Sequence, residues 1–523
     1  MKYVLILIIL LSACQSDSHS IDPYKINQPS SQQKKVVMIM IDSMMSHSLD
    51  KSLEQGNVPA LEYLINKGHY EKELVVPFPS MSVTVESTLI TGTMPDMHQV
   101  PGLAWFKADE NRLVNYGSNW TYWLNNGLYQ GIYDVLSNLN NDHLNPEVST
   151  VFEELYDRGQ SSGSINTLLY RGNIDHQLKI FPIIDGLTDL PQTINTAGPE
   201  TLAFGRFKKP HGLEEVQFND GVFHRFGLMD KYSMEMTQQL VQKGLQPHFL
   251  LLFLPDNDKK THKHGPDHLA GLEKADKYLQ GILDSYGSWD KALDENVFII
   301  FGDHGQDQLV EKHDDLAINL DSMYNDFQIA DLGTPVNEGE IAFGVNQRMT
   351  YVYDLHHHHS LSSLAKLAME DSRIDLAAWI ENDWINVRSP DHEEELSFKR
   401  GGDWMDPYNQ NWSLRGNTDV LDLTRSESNK KGISYNRFPD VLNHLETSLK
   451  SHETDKLILA AKPGHSFLSE GIATHEDGGE HGGLHKNDLL AAMVIAGTNK
   501  KPEFNRIVDL KEFVMELLEE NEN

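Results

Sequence analysis

Lys34 to Ser43 reads KKVVMIMIDS, an unbroken apolar run between lysines and an aspartate. A run without polar alternation suits a strand covered on both faces, as in parallel sheets packed under helices. Three more segments share this character: PHFLLLFLPD (247–256), NVFIIFGDHG (296–305) and LLAAMVIAG (489–497). Between them, Val58–Lys67, Phe226–Lys243, Leu269–Tyr286 and Ile507–Glu519 carry helical periodicity. Buried strands alternating with amphipathic helices predict an α/β sandwich with a mostly parallel central sheet.

Open α/β sheets bind ligands beyond the carboxyl ends of their strands. Asp42, then Asp256 and Asp258, then Asp303 and His304 stand at three such ends. Asp258 and His262 are four residues apart in DNDKKTHKHGPDH and can face one centre, which favours Asp258 over Asp256. THEDGGEHGGLH adds His475, His481 and His485 before the last strand. Oxygen and imidazole donors without thiols suit catalytic Zn²⁺, with Mn²⁺ as the alternative. Taken singly, each Asp or His reads as a cap or a solvated loop residue; together, at one end of a sheet, they do not.

The chain has 523 residues, of which 39% are hydrophobic, enough for a large core. Its 77 acidic against 44 basic residues give a net charge of −33, which opposes binding to duplex nucleic acid or to anionic membrane surfaces. An anionic substrate therefore needs a local positive centre, and bound cations supply one. The N-terminus, MKYVLILIILLSACQSDSHS, has an apolar run too short to span a bilayer and ends in LSAC, which resembles a bacterial lipoprotein cleavage box. Residues 1–14 are expected to be a signal peptide cleaved before Cys14, whose lipidation would be the only membrane attachment of an exported protein. Residues 15–34 read as a flexible tether. Cys14 is the single cysteine, so neither disulfides nor cysteine metal ligands are available.

VVPFPSMSVTVESTLITGTMPDMHQVPG (75–102) offers Ser80, Ser82, Thr84, Ser87, Thr88 and Thr91 as candidate hydroxyls as it passes from strand-like to helix-like character. The order of these features resembles the alkaline phosphatase superfamily, and within it the type I phosphodiesterase/nucleotide pyrophosphatase branch. The resemblance covers residues 35–310 and 455–520 as a catalytic domain, touches FGVNQRMTYVYDL, and leaves 311–454 as an inserted cap or subdomain. It implies two divalent metal ions, one held by Asp42, Asp303 and His304 and the other by Asp258, His262 and His481. It also implies a nucleophile between them, ten residues before the Gly of TG, which is Ser82. A helix N-terminus and a metal both favour the alkoxide there, with no neighbouring base needed. Where nucleotide pyrophosphatases carry an Asn three residues after the nucleophile, this chain has Val85; Thr84, Glu86 or a backbone N–H are the candidate substitutes.

The expected activity is hydrolysis of phosphodiester or pyrophosphate bonds in a small phosphorylated substrate, nucleotides included, through a covalent intermediate on Ser82. Phosphomonoester hydrolysis is the alternative chemistry, and a non-catalytic metal-binding surface lipoprotein the alternative class. SMSVT lacks the Pro and Arg that a sulfatase nucleophile requires. His264, His475 and His485 read as loop or ligand-orienting residues, and HHHH at 356–359 as solvated rather than a third metal site. The aromatic-rich segment 105–133 is either a substrate-stacking cap or the core of a subdomain.

Overall fold

The computed structural model describes residues 34–117, 127–181, 190–311, 313–330, 336–427, 431–469 and 478–519. Cys14, the signal segment and all but the last residue of the tether lie outside them, as do His475 and Trp120, Tyr122 and Trp123.

The chain first lays down β1 (Lys35–Ile41), β2 (Gly68–Val75), β3 (Ser162–Ile165), β4 (Thr201–Ala203), β5 (Phe249–Leu254) and β6 (Asn296–Phe301). It then builds a second, nine-stranded sheet from β7 (Ile341–Asn346), β8 (Met349–Asp354), β9 (Ile374–Glu381), β10 (Trp384–Arg388), β11 (Leu396–Met405), β12 (Asn411–Gly416), β13 (Leu423–Ser426), β14 (Gly432–Tyr435) and β15 (Lys456–Ala461). It returns to the first sheet with β16 (Leu490–Ala496). The first sheet has seven strands in the order β2-β16-β6-β1-β5-β3-β4. β1 pairs in parallel with both β5 and β6, and β3 with β4 and β5, whereas β16 runs antiparallel to its two neighbours. The architecture is thus the mixed α/β one read from the apolar runs, with a mostly parallel sheet and one reversed strand.

Successive residues of β1 point to opposite faces, and each face is covered. Val36, Met38 and Met40 join an apolar cluster shared with the second sheet. Val37, Ile39 and Ile41 join another, packed under α1 (Pro59–Lys67), α3 (Asp230–Gln242) and α5 (Ala270–Asp284). Two other helices carry candidate site residues: α2 (Ser82–Thr91) and α4 (Asp256–His264). The helical pattern of Phe226–Lys243 begins as a helix only at Asp230. Residues 222–227 form a tight turn in which Arg225 and Phe226 take left-handed backbone angles.

In the described part of the aromatic segment, Trp105, Phe106 and Tyr116 are core residues, whereas Tyr129 is exposed and stacks on Tyr133 with 5.7 Å between ring centroids. Trp105 meets His452 edge-on with 5.6 Å between ring centroids, and the Phe106 N–H donates to the Tyr353 hydroxyl at 3.2 Å.

Ile39 is fully buried on the central strand. Ile39→Ala should lower unfolding free energy by about 2–5 kcal/mol, read as a shift of the denaturant midpoint at constant slope.

Candidate metal centre and nucleophile helix

β1, β5 and β6 end side by side, so their following residues meet in space. Asp42 follows β1 and keeps its pairing, its N–H donating to the Leu254 carbonyl at 3.1 Å. α4 starts two residues beyond β5, and its i, i+4 spacing sets His262 Nε2 3.3 Å from Asp258 Oδ1. Asp303 and His304 follow β6. His304 Nε2 is 3.3 Å from Asp42 Oδ1 and 3.5 Å from Asp303 Oδ2. All three of these atoms are buried, and among the described residues none has a hydrogen-bond partner.

Among the described residues, three groups of donor atoms converge within 4.8 Å; one, Glu110, Asp142 and His143, lies elsewhere, and two lie here: Asp258, His262 and His481, and Asp42, Asp258 and His304. Asp258 belongs to both, and the His304 and His481 rings stack at 3.7 Å. The centre is one continuous cluster with Asp258 in its middle. Burial pushes the Asp42 carboxyl well above its usual range, with Asp258 and Asp303 adding repulsion. A cation reverses both effects.

The imidazoles are oriented from behind. His262 Nδ1–H donates to the Gly479 carbonyl at 2.7 Å, His481 Nδ1–H to that of Ser80 at 2.7 Å, and His304 Nδ1–H to that of Gly305 at 3.0 Å. A ring nitrogen that donates to a carbonyl leaves the other with its lone pair, which is the arrangement of metal-ligating histidine. The carboxylates are held likewise. Ser43, at φ +56°, donates its N–H to Asp303 Oδ1 at 3.0 Å and its hydroxyl to Asp258 Oδ1 at 2.8 Å. Gln306 Nε2 reaches Asp258 Oδ1 at 2.6 Å and the Ser43 hydroxyl at 3.1 Å. Ser43 and Gln306 were not singled out in the sequence, although each lies within three residues of a strand-end aspartate. The donor set fits divalent cations: oxygen and imidazole only, preoriented, with unsatisfied buried atoms facing one another.

Ser82 is the first residue of α2. The loop before it is tied to the centre by Ser80, whose carbonyl accepts from His481 and whose hydroxyl accepts from the Gly482 N–H at 2.9 Å. The other hydroxyls of the stretch are engaged or enclosed. Ser87 donates to the Val83 carbonyl at 2.7 Å, Thr91 to that of Ser87 at 2.6 Å, Thr88 lies 3.0 Å from His98 Nε2, and Thr84 Oγ1 is buried. Val85 is buried in the apolar core. Glu86, one turn after Ser82, accepts from the Leu169 N–H at 2.8 Å. Burial pushes its carboxyl up to about 8, against the pull of the Leu169 and Leu168 N–H groups.

Asp256 lies apart from this cluster, paired with Arg225 and 3.5 Å from Lys274 Nζ. His264 ends α4, and His485 caps the turn that leads into β16. The 356–359 histidines follow β8, where the backbone N–H groups of His356, His358 and His359 donate to the Asp354 carboxylate.

The profile of the type I phosphodiesterase/nucleotide pyrophosphatase family matches residues 36–484. The chain belongs to that family. Membership supports a phosphoester hydrolase, and the family is in general metal-dependent. Solved structures share the fold at low identity. Murine ectonucleotide pyrophosphatase/phosphodiesterase 5, an inactive variant in complex with AMP, is 12% identical with a TM-score of 0.53, over 93% of this chain and 95% of that one. The human counterpart is 14% identical with a TM-score of 0.53 and the same coverage. Phosphonoacetate hydrolase from Sinorhizobium meliloti, in complex with phosphonoacetate, is 12% identical with a TM-score of 0.56, over 94% and 97%. No curated protein sequence matches the chain.

Two outcomes follow for this family member. Chelation should lower its thermal midpoint and Zn²⁺ should restore it, since each site filled at a hundredfold excess over Kd adds about 2.7 kcal/mol; an unchanged midpoint argues against bound cations. The Glu86 carboxyl is raised from 4.5 to about 8, so the folded chain keeps a proton that the unfolded chain releases. Stability contributed by this group therefore falls as pH rises between those values. Glu86→Gln should gain stability over wild type, on the order of a few kcal/mol, between pH 5 and pH 8; parallel denaturation curves at the two pH values would refute the buried acid.

Proposed function

We propose that this family member is an exported, lipid-anchored phosphoesterase that hydrolyses phosphodiester or pyrophosphate bonds with two divalent cations, zinc above manganese. The observation that carries this reading is the convergence of Asp42 Oδ1, Asp303 Oδ2 and His304 Nε2, unpartnered among the described residues, beside Asp258, His262 and His481. Asp42, Asp303 and His304 would hold one ion and Asp258, His262 and His481 the other. The ions would supply positive charge to a phosphoryl group and lower the pKa of a hydroxyl or water.

Ser82 is the nucleophile in this reading. Its Oγ forms a bond to phosphorus as the bond to the leaving-group oxygen breaks, and the hydroxyl proton passes to solvent or to the departing oxygen. Water then attacks the phosphoryl-serine, the Oγ–phosphorus bond breaks, and Ser82 regains a proton. The helix N-terminus at Ser82 favours negative charge on Oγ. The AMP seen with the murine relative makes nucleotides a reasonable substrate class here. Anchoring rests on Cys14 alone, and no helix among the described residues is long and apolar enough to cross a membrane.

The test is turnover by protein loaded with Zn²⁺ or Mn²⁺, using a nitrophenyl phosphodiester and the matching monoester. Diester turnover should exceed monoester turnover, and Ser82→Ala should lose at least about 10³-fold. Metal-loaded wild type that turns over neither ester overturns the enzyme reading. Dominant monoester turnover would keep the chemistry but reverse the substrate preference.

A further inference from the structure

The turn between β7 and β8 belongs to the second sheet, yet it lies against His481. Gln347 stands there at φ +57°. Its Oε1 accepts the His481 N–H at 3.0 Å, and its Nε2 lies 3.3 Å from His481 Nε2. The backbone around it is fixed. Arg348 N–H donates to the His481 carbonyl at 3.2 Å, and the Gln347 carbonyl accepts from Phe467 N–H at 2.9 Å. The Arg348 side chain is fully buried, with both Asp488 oxygens within 2.8 Å of its Nη1 and Asp307 3.5 Å from Nη2. Gly482 allows the close approach, because a Cβ there would come within 2.3 Å of the Asn346 carbonyl.

Because Oε1 faces an N–H, the amide group must face the imidazole. An amide nitrogen carries two hydrogens, and the His481 ring nitrogen takes at most one. Gln306 has no such surplus, since its Nε2 serves both Asp258 and Ser43. On α2, Val85 is in the core, Thr84 Oγ1 is buried, and Glu86 is fully buried with one carboxyl oxygen accepting from the Leu169 N–H. Gln347 is half-buried, held rigidly, and placed at the edge of the Asp258, His262 and His481 group.

We propose that Gln347 is a substrate-contacting residue whose Nε2 donates to a non-bridging oxygen of the phosphoryl group bound beside Asp258, His262 and His481. The inference rests on the two-cation phosphoesterase reading. A donor fixed before substrate arrives needs little reorganisation as charge builds on that oxygen.

The test compares Gln347→Met, which removes donor and acceptor, with Gln347→Glu, which keeps an acceptor for the His481 N–H but loses the donor. Zinc content is read by elemental mass spectrometry, binding of inorganic phosphate by calorimetry, and turnover with the nitrophenyl diester. Both variants should keep wild-type zinc content, bind phosphate about tenfold or more weakly, and lose about 10²-fold in kcat with less change in KM. Loss of zinc from Gln347→Met alone would overturn the proposal, leaving Gln347 as a holder of His481. Phosphate binding and turnover within twofold of wild type at full zinc would overturn it too. Failure of the underlying reading shows differently, as zinc-loaded wild type that neither binds phosphate nor turns over, and it removes both.

Discussion

Asp42 and Asp303 bury their carboxylates at one end of the sheet, and among the described residues neither forms an ion pair with a lysine or arginine. Burying two like charges side by side costs several kcal/mol unless an opposite charge compensates. A divalent cation does so without adding bulk, and the surrounding groups are arranged for it. The Ser43 N–H donates to Asp303 Oδ1, the Ser43 hydroxyl and Gln306 Nε2 donate to the neighbouring Asp258 Oδ1, and Asn257 Nδ2 donates to the main-chain carbonyls of Asp42 and Ser43 at 2.8 and 3.1 Å. Those groups fix the carboxylates without neutralising them. Ser43 adopts its left-handed angle, uncommon outside glycine, where that fixing demands it.

The same logic governs the imidazoles. Each of the three histidines spends Nδ1–H on a main-chain carbonyl, and the three carbonyls come from separate segments, at Ser80, Gly305 and Gly479. Ring orientation is therefore set by chain path rather than by mobile side chains. Through Ser80, the loop that delivers Ser82 and the loop that delivers His481 are positioned by one residue that bonds both His481 and Gly482.

The apolar runs made the central sheet legible because parallel strands covered on both faces leave no polar alternation to mislead. Their terminal aspartates were legible for the same reason, since a charge straight after six buried residues needs an explanation. The helix register of Asp258 and His262 followed from spacing. Gln347 and Arg348 were not legible in the same way. They sit in a hairpin more than 130 residues before His481 in the chain, inside a strand pair whose pattern speaks only of packing. A lone Ser or Gln beside a motif is ordinary in solvated loops, so Ser43 and Gln306 carry no signal in the sequence, and only the fold shows them buried. The reversed direction of β16 was equally hidden, as an apolar run carries no sign of its polarity in a sheet.

The second sheet bears on the site through packing as well as through its hairpin. Val36, Met38 and Leu251 of the central sheet share one apolar cluster with Tyr351, Ala378 and Trp412 of the second. β15, which comes late in the chain, lies between β8 and β9 and pairs with both, so that sheet closes only once residues beyond 455 have folded. The hairpin that meets His481 is thus anchored in a core continuous with the strands that carry Asp42 and Asp258. Displacing either sheet against the other would move His481 relative to those aspartates, and close packing resists such sliding. The distance between the two halves of the centre is for this reason a property of the core rather than of its loops.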